Sequence, residues 1–226
     1  MKTRVAVLAA TIVALAASSA SAGIIFDDGP TDGTFNSLYI DGPNAGGPYT
    51  QSIYDTFKAT SSGTVGELDV GLWVPTGETP TTFTWWLGTT SLDNSIGGGT
   101  VTLSSADYVF HNDSGFGYDV YDVTVTGLSS AMLTAGDTYV LTLGNGNDSL
   151  GDQLVAWDIN GGPASCGGIM SGVDLGSCTG FGGEAFTLST SSTASAPEPA
   201  TWALMLAGFA GLGAALRSRR ARPAAA

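Results

Sequence analysis

Leu68-Asp69-Val70-Gly71-Leu72-Trp73-Val74 and, after a turn rich in Pro, Gly and Thr, Phe83-Thr84-Trp85-Trp86-Leu87 decide the fold. Leu68, Val70, Leu72 and Val74 fall at period two, and so do Phe83, Trp85 and Leu87. Side chains alternate across a strand, so each run presents one apolar face to a core. The same spacing returns in Tyr121, Val123 and Val125, in Tyr139, Leu141 and Leu143, and in Phe186 and Leu188. Gly, Asp, Asn and Pro punctuate these runs every eight to fifteen residues, as turns require. No window sustains a helical period over three turns; Ser129 to Thr134 comes nearest. The pattern predicts an all-β fold, a single antiparallel β-sandwich or jelly roll of around ten short strands.

Outward from this centre the sequence changes character at both ends. Lys2 and Arg4 precede an apolar run from Val5 to Ala17 and the small residues Ala20-Ser21-Ala22, which together predict a signal peptide over 1–22. The β domain is expected over 23–188. Ser, Thr and Ala over 189–196 offer nothing to pack and predict a flexible stalk. Pro197-Glu198-Pro199 comes next, then an apolar stretch to Leu216, then Arg217, Arg219, Arg220 and Arg222, with 223–226 as a terminal tail. As a helix, Thr201 to Leu216 reaches roughly 24 Å at about 1.5 Å per residue. A hydrocarbon core is about 30 Å thick, so the expected transmembrane helix spans only with Trp202 and the arginines at the interfaces. The positive-inside rule makes the arginines a cytoplasmic anchor and leaves the body outside the inner membrane, the orientation a signal peptide also demands.

Pro-Glu-Pro-x-Thr-Trp-Ala over 197–203 and the Ala-Gly-Phe-Ala-Gly-Leu-Gly run over 207–213 resemble the PEP-CTERM sorting signal of Gram-negative bacteria. The resemblance implies an exosortase as partner, which recognises Pro197, Glu198 and Pro199 and removes the tail, so that a membrane-anchored precursor becomes a cell-surface or extracellular protein. It also implies an exopolysaccharide context, and with it a structural or adhesive role in biofilm matrix. The run from Trp73 to Trp157 is similar to a domain that recurs in exported PEP-CTERM proteins, through Gly71-Leu72-Trp73-Val74, Thr84-Trp85-Trp86-Leu87-Gly88-Thr89 and Trp157-Asp158-Ile159-Asn160-Gly161-Gly162-Pro163.

Charge narrows the partners. The chain has seven Lys and Arg, of which only Lys58 lies between residues 23 and 196, and twenty Asp and Glu, of which only Glu198 lies outside that span. Nineteen acids against one base leave the body near −18. Phosphate binding needs clustered Lys and Arg, so nucleic acid is excluded as a partner. Such a surface suits solubility outside the cell or the collection of divalent cations. Cys166 and Cys178, the only cysteines, bracket a short loop and are expected to form a disulfide in an exported protein.

No catalytic constellation emerges, and the chain is not expected to be an enzyme. His111 precedes Asn112-Asp113 in a polar turn, no Gly-x-Ser-x-Gly elbow is present, and Ser114 also reads as a turn residue. Glu67, Glu78 and Glu184, the glutamates of the body, sit in no motif that pairs carboxylates for glycoside hydrolysis. No cofactor is expected beyond calcium, for which Asn145, Asn147, Asp148 and Asp152 crowd one loop. Their spacing is not that of a calcium loop, and a hairpin turn uses the same residues. Trp73 and Trp86 alternate out of the core-facing set and are the candidate glycan contacts, the alternative function being a carbohydrate-binding module without catalysis.

Overall fold

A computed structural model describes residues 22–34, 36–41, 50–151, 154–178, 182–191 and 209. The signal peptide, the sorting motif, the transmembrane helix and the arginine cluster lie outside the described residues. Among the described residues, no helix is long and apolar enough to cross a membrane. Residues 22–192 form one compact unit.

That unit is an antiparallel sandwich. The first sheet is built around β5 (Glu67–Pro75). Along one side β5 pairs β9 (Tyr118–Thr126), which pairs β8 (Tyr108–Asp113). Along its other side lie β16 (Phe186–Ser189) and then β12 (Ala156–Gly162), one beyond the other. Strand β1 (Ile24–Asp27) pairs β16, while β2 (Ser37–Tyr39) and β15 (Gly183–Glu184) pair β12. The second sheet runs β14 (Val173–Ser177), β13 (Ser165–Met170), β3 (Gln51–Lys58), β11 (Thr138–Asp148), β6 (Pro80–Gly88) and β7 (Gly97–Thr102). A two-stranded pair, β4 (Gly63–Thr64) with β10 (Met132–Leu133), completes the unit.

The period-two residues meet between the sheets. Leu68, Val70, Leu72 and Val74 of β5 pack with Phe83, Trp85 and Leu87 of β6, Tyr121, Val123 and Val125 of β9, and Leu141 and Leu143 of β11. An aromatic group anchors one end: Phe57 stands 4.7 Å from Phe26 and 5.6 Å from Phe186, and Trp157 5.7 Å from Phe186. Trp157 is fully buried, and its indole N–H donates to Ala185 O at 3.0 Å, which supplies the partner that a buried indole needs.

Three expectations change. Sixteen strands form among the described residues rather than about ten, because several are only two to four residues long. Ser129 to Thr134 contributes β10 rather than a helical turn. The chain also stays on the sandwich beyond residue 188: Ser189 is buried in β16, and Thr190 N donates to Gly23 O at 2.9 Å. Ser and Thr here are sheet residues, so the segment expected as a stalk from 189 is still paired at 190.

Candidate functional site

Alternation puts Trp73 on the outer face of the first sheet, where the structure seals it. Its ring packs with Val120, Ala156 and Tyr118, and its indole N–H donates to Asp158 Oδ1 at 2.6 Å. The other Asp158 oxygen accepts from Asp32 N at 2.9 Å and Gly33 N at 3.4 Å, which ties the loop after β1 across this face. Burial pushes the Asp158 carboxyl up, and these donors pull it back toward the charged form. Trp73 is therefore 3% exposed and offers no ring face to a sugar, a correction to its candidacy. Alternation could not foresee a loop folding over the outer face. Trp73→Phe keeps most of the packing and removes one charge-assisted hydrogen bond; urea denaturation is expected to show a loss of about 2 kcal/mol.

Trp86 is half-buried on the outer face of the second sheet, in a rung with Tyr54 and Thr142. The two tryptophans thus stand on opposite sheets, and the structure does not bring them into one row. His111 sits at a bulge of β8, its Nδ1 2.9 Å from Asp122 Oδ2. Ser114 Oγ donates instead to Tyr118 O at 2.8 Å, so the expected turn role accounts for it. Asp122 lines a groove of about 310 Å³ with Asp69, Thr124 and the Gly29–Thr31 segment.

Among the candidate calcium ligands, Asp148 ends β11, and its carboxylate gathers backbone amides from Leu150, Gly151 and Leu154 at 2.8–3.1 Å. Asn145 takes a positive φ of 51°, and its side-chain amide donates to Thr84 Oγ1 at 3.3 Å. Asn147 is placed through its carbonyl, which accepts from Thr81 Oγ1 at 3.0 Å. Asn145, Asn147 and Asp148 thus lie in the bulged end of β11, paired across to β6, rather than in a loop or hairpin turn, a correction to that expectation; Asp152 lies outside the described residues. Cys166 and Cys178 are joined in a disulfide with Cα atoms 5.3 Å apart.

The acids that matter most belong to no sequence motif. On β3, Ile53 and Phe57 point into the core, and Asp55 holds the position between them, fully buried. Glu184 of β15 is equally buried, and its backbone N–H donates to Asp55 Oδ2 at 2.7 Å. Asp28, just past β1, is 2% exposed, and its Oδ1 accepts from Ala164 N at 2.6 Å. The chain makes room for these groups with glycine. A Cβ on Gly183 would run into Asp28 Oδ2, and one on Gly162 into the Asp28 carbonyl. The disulfide closes the cluster on another side, both sulfurs lying within 4.8 Å of a Glu184 carboxylate oxygen.

Burial dominates the electrostatics here. Desolvation pushes the Asp55 carboxyl up to about 7 against the pull of its Glu184 hydrogen bonds, and the Asp28 carboxyl up to about 6. Glu184 is raised well above the ordinary range by the same loss of water and by the charge of Asp55 facing it. One legible signal exists: an aspartate at an apolar rung, Ile53-x-Asp55-x-Phe57.

The fold and its chemistry define a disulfide-closed, strongly acidic β-sandwich carrying a C-terminal sorting segment. Residues 195–220 match the PEP-CTERM protein-sorting motif, and the chain is a PEP-CTERM domain-containing protein. The motif marks an exported protein sorted with exosortase to the cell envelope or surface. No curated protein matches the chain, and no solved structure does.

Proposed function

We propose that this protein is a non-catalytic structural or adhesive component of the cell surface or extracellular matrix, released from its membrane-anchored precursor by exosortase cleavage near Pro197-Glu198-Pro199. The sorting motif carries this reading. The body beneath it supports a structural role: an acidic, disulfide-closed sandwich suits a protein that must stay folded and soluble outside the cell. The separation of Trp73 and Trp86 onto opposite sheets, with Trp73 sealed, favours this role over a sugar-stacking row. Proline rings disfavour a helix and favour extended chain, so on sequence grounds the prolines flanking Glu198 suit presentation of its carboxylate to a membrane protease.

The test is intact mass in membrane and extracellular fractions of the native host. The exported form is expected to end near Pro199, with the tail gone. Glu198→Ala is expected to hold at least about ten times more full-length precursor in the inner membrane, the factor that about 1.4 kcal/mol of lost recognition implies. A wild-type protein that stays full-length and membrane-bound would sink the proposal.

A further inference from the structure

We propose that the end of the sandwich built from the Gly23–Thr190 pair, β4 and β10 docks on the lipid bilayer while the precursor is anchored, and lets go once the tail is cut. The proposal rests on the anchored precursor of the preceding section. Thr190 N donates to Gly23 O at 2.9 Å, and Gly23 N donates to Thr190 Oγ1 at 2.9 Å. The segments expected to enter the membrane, 1–22 and 197–222, therefore leave the sandwich from one place. Strand β4 lies against that place: a Cβ on Gly63 would meet the Thr190 methyl at 2.7 Å, and one on Gly66 would run into Ser191. Strand β10 pairs β4 with Met132 opposite Thr64, and Ser61 Oγ donates to Ile24 O.

Charge sets this end apart. None of the nineteen acids between residues 23 and 196 falls in 23–26, 59–66, 127–136 or 189–196, the stretches that build it. Glu67 and Asp137 mark its border, and Glu67 is engaged there, accepting from Ser189 Oγ at 3.3 Å. Lys58, the one base of the body, stands at the same border beside Gly136. Signal-peptide cleavage after Ala22 adds the α-ammonium group of Gly23. An acidic body is repelled by anionic headgroups within about 8–10 Å at physiological salt, and this end approaches without that cost. Ile24 and Met132, 54% and 66% exposed, are the apolar side chains it offers to the headgroup boundary.

The tether points the same way. Ser191 to Pro197 is six residue steps, which reach at most about 21 Å. Strand β5 alone, at nine residues, runs about 30 Å. A tether shorter than one strand keeps its exit point toward the bilayer and raises the local concentration there to about the millimolar range. Two apolar side chains without a basic cluster bind a membrane only marginally unaided. Cleavage near Pro199 removes the tether, so the contact lapses and the body leaves.

The test places p-benzoylphenylalanine at Ile24 or at Met132 of the full-length chain, in mixed phosphatidylethanolamine and phosphatidylglycerol vesicles. Leu150, 76% exposed just past the far end of β11, is the comparison position. After flotation and irradiation, intact mass is expected to show lipid adducts at least about ten times more often at 24 and 132 than at 150, a preference of about 1.4 kcal/mol. Inserting Gly and Ser after Ala196 to lengthen the tether from six steps to about 26 should cut those adducts about ninefold, the −3/2 power of length. The unsubstituted chain gives a second readout that no misfolded variant can spoil. Peroxide oxidation of Met132 is expected to be at least about threefold slower with the short tether than with the long one. Met170, which pairs Gln51 at the far end of β3, should oxidise equally in both. Equal adducts at all three positions on a protein that floats would overturn the docking and leave the anchor standing; failure to float would overturn the anchor and the docking together. Adducts indifferent to tether length would overturn the dependence on anchoring. Protein adducts in native inner membranes, with none to lipid in vesicles, would give this end to a membrane protein instead.

Discussion

Raising the pH from about 4.5 to 7.5 in the presence of a chelator is expected to destabilise this protein by at least about 3 kcal/mol, the reverse of ordinary acid denaturation. Folding lifts the Asp55 carboxyl from its ordinary 3.8 to about 7, Asp28 to about 6, and Glu184 well above 4.5. A group whose proton affinity rises on folding adds stability fully below its unfolded pKa and loses it as pH climbs through the folded value. The window therefore opens near pH 4 and closes beyond about 7. Asp93 and Asp107 work in the opposite sense: hydrogen bonds from Thr89 and Ser95, and from Ser104, hold their carboxyls down, so their contribution fades only as pH falls below about 4. The two trends place maximum stability near pH 4–5. Urea denaturation across the range in EDTA measures the slope, and Asp55→Asn/Glu184→Gln, which carries no charge to bury, should flatten most of it. A wild-type curve flat from pH 4.5 to 7.5 would mean the three acids are hydrated in solution.

The sandwich is legible in the sequence because its core is written at period two. Leu68, Val70, Leu72 and Val74, then Phe83, Trp85 and Leu87, and Tyr139, Leu141 and Leu143 face inward in the structure as their spacing requires. The division of the strands between sheets is not legible. Consecutive strands β5 and β6 cross from one sheet to the other, so the neighbours Trp73 and Trp86 end on opposite faces of the molecule. Alternation reports only which residues share a face of one strand; it carries no information on which strands share a sheet.

The candidate site divides in the same way. The sorting motif is a contiguous stretch, and Pro197, Glu198, Pro199 and the apolar run after them suffice to recognise it. The acidic cluster is assembled from residues far apart in the chain, Asp28, Asp55 and Glu184, and no local spacing joins them. Asp55 at a core rung between Ile53 and Phe57 is the one conflict between pattern and residue type. Such conflicts mark sites where stability gives way to another requirement.

Removing the disulfide should test how that cluster is kept dry. Cys166→Ser/Cys178→Ser is expected to cost about 3 kcal/mol at pH 4.5, the chain-entropy value for a loop of this length. Strand β14 is exposed along its whole length at the edge of the second sheet, with Val173 and Leu175 open to solvent. Beyond its ladder to β13, it is held by the Cys166–Cys178 bond and by Tyr54 OH donating to Asp174 Oδ1 at 3.1 Å. Without the bond the hairpin can peel back, and Cys166 pairs directly with Asp55 while both sulfurs border Glu184. Water then reaches carboxyls that the native fold keeps dry, and their raised proton affinities relax toward ordinary values. In chelator the loss should therefore be smaller at pH 7.5 than at pH 4.5, because hydration relieves a penalty that exists only when the acids ionise. Denaturation of both proteins at the two pH values separates this coupling from plain chain entropy, which would lower stability equally at each.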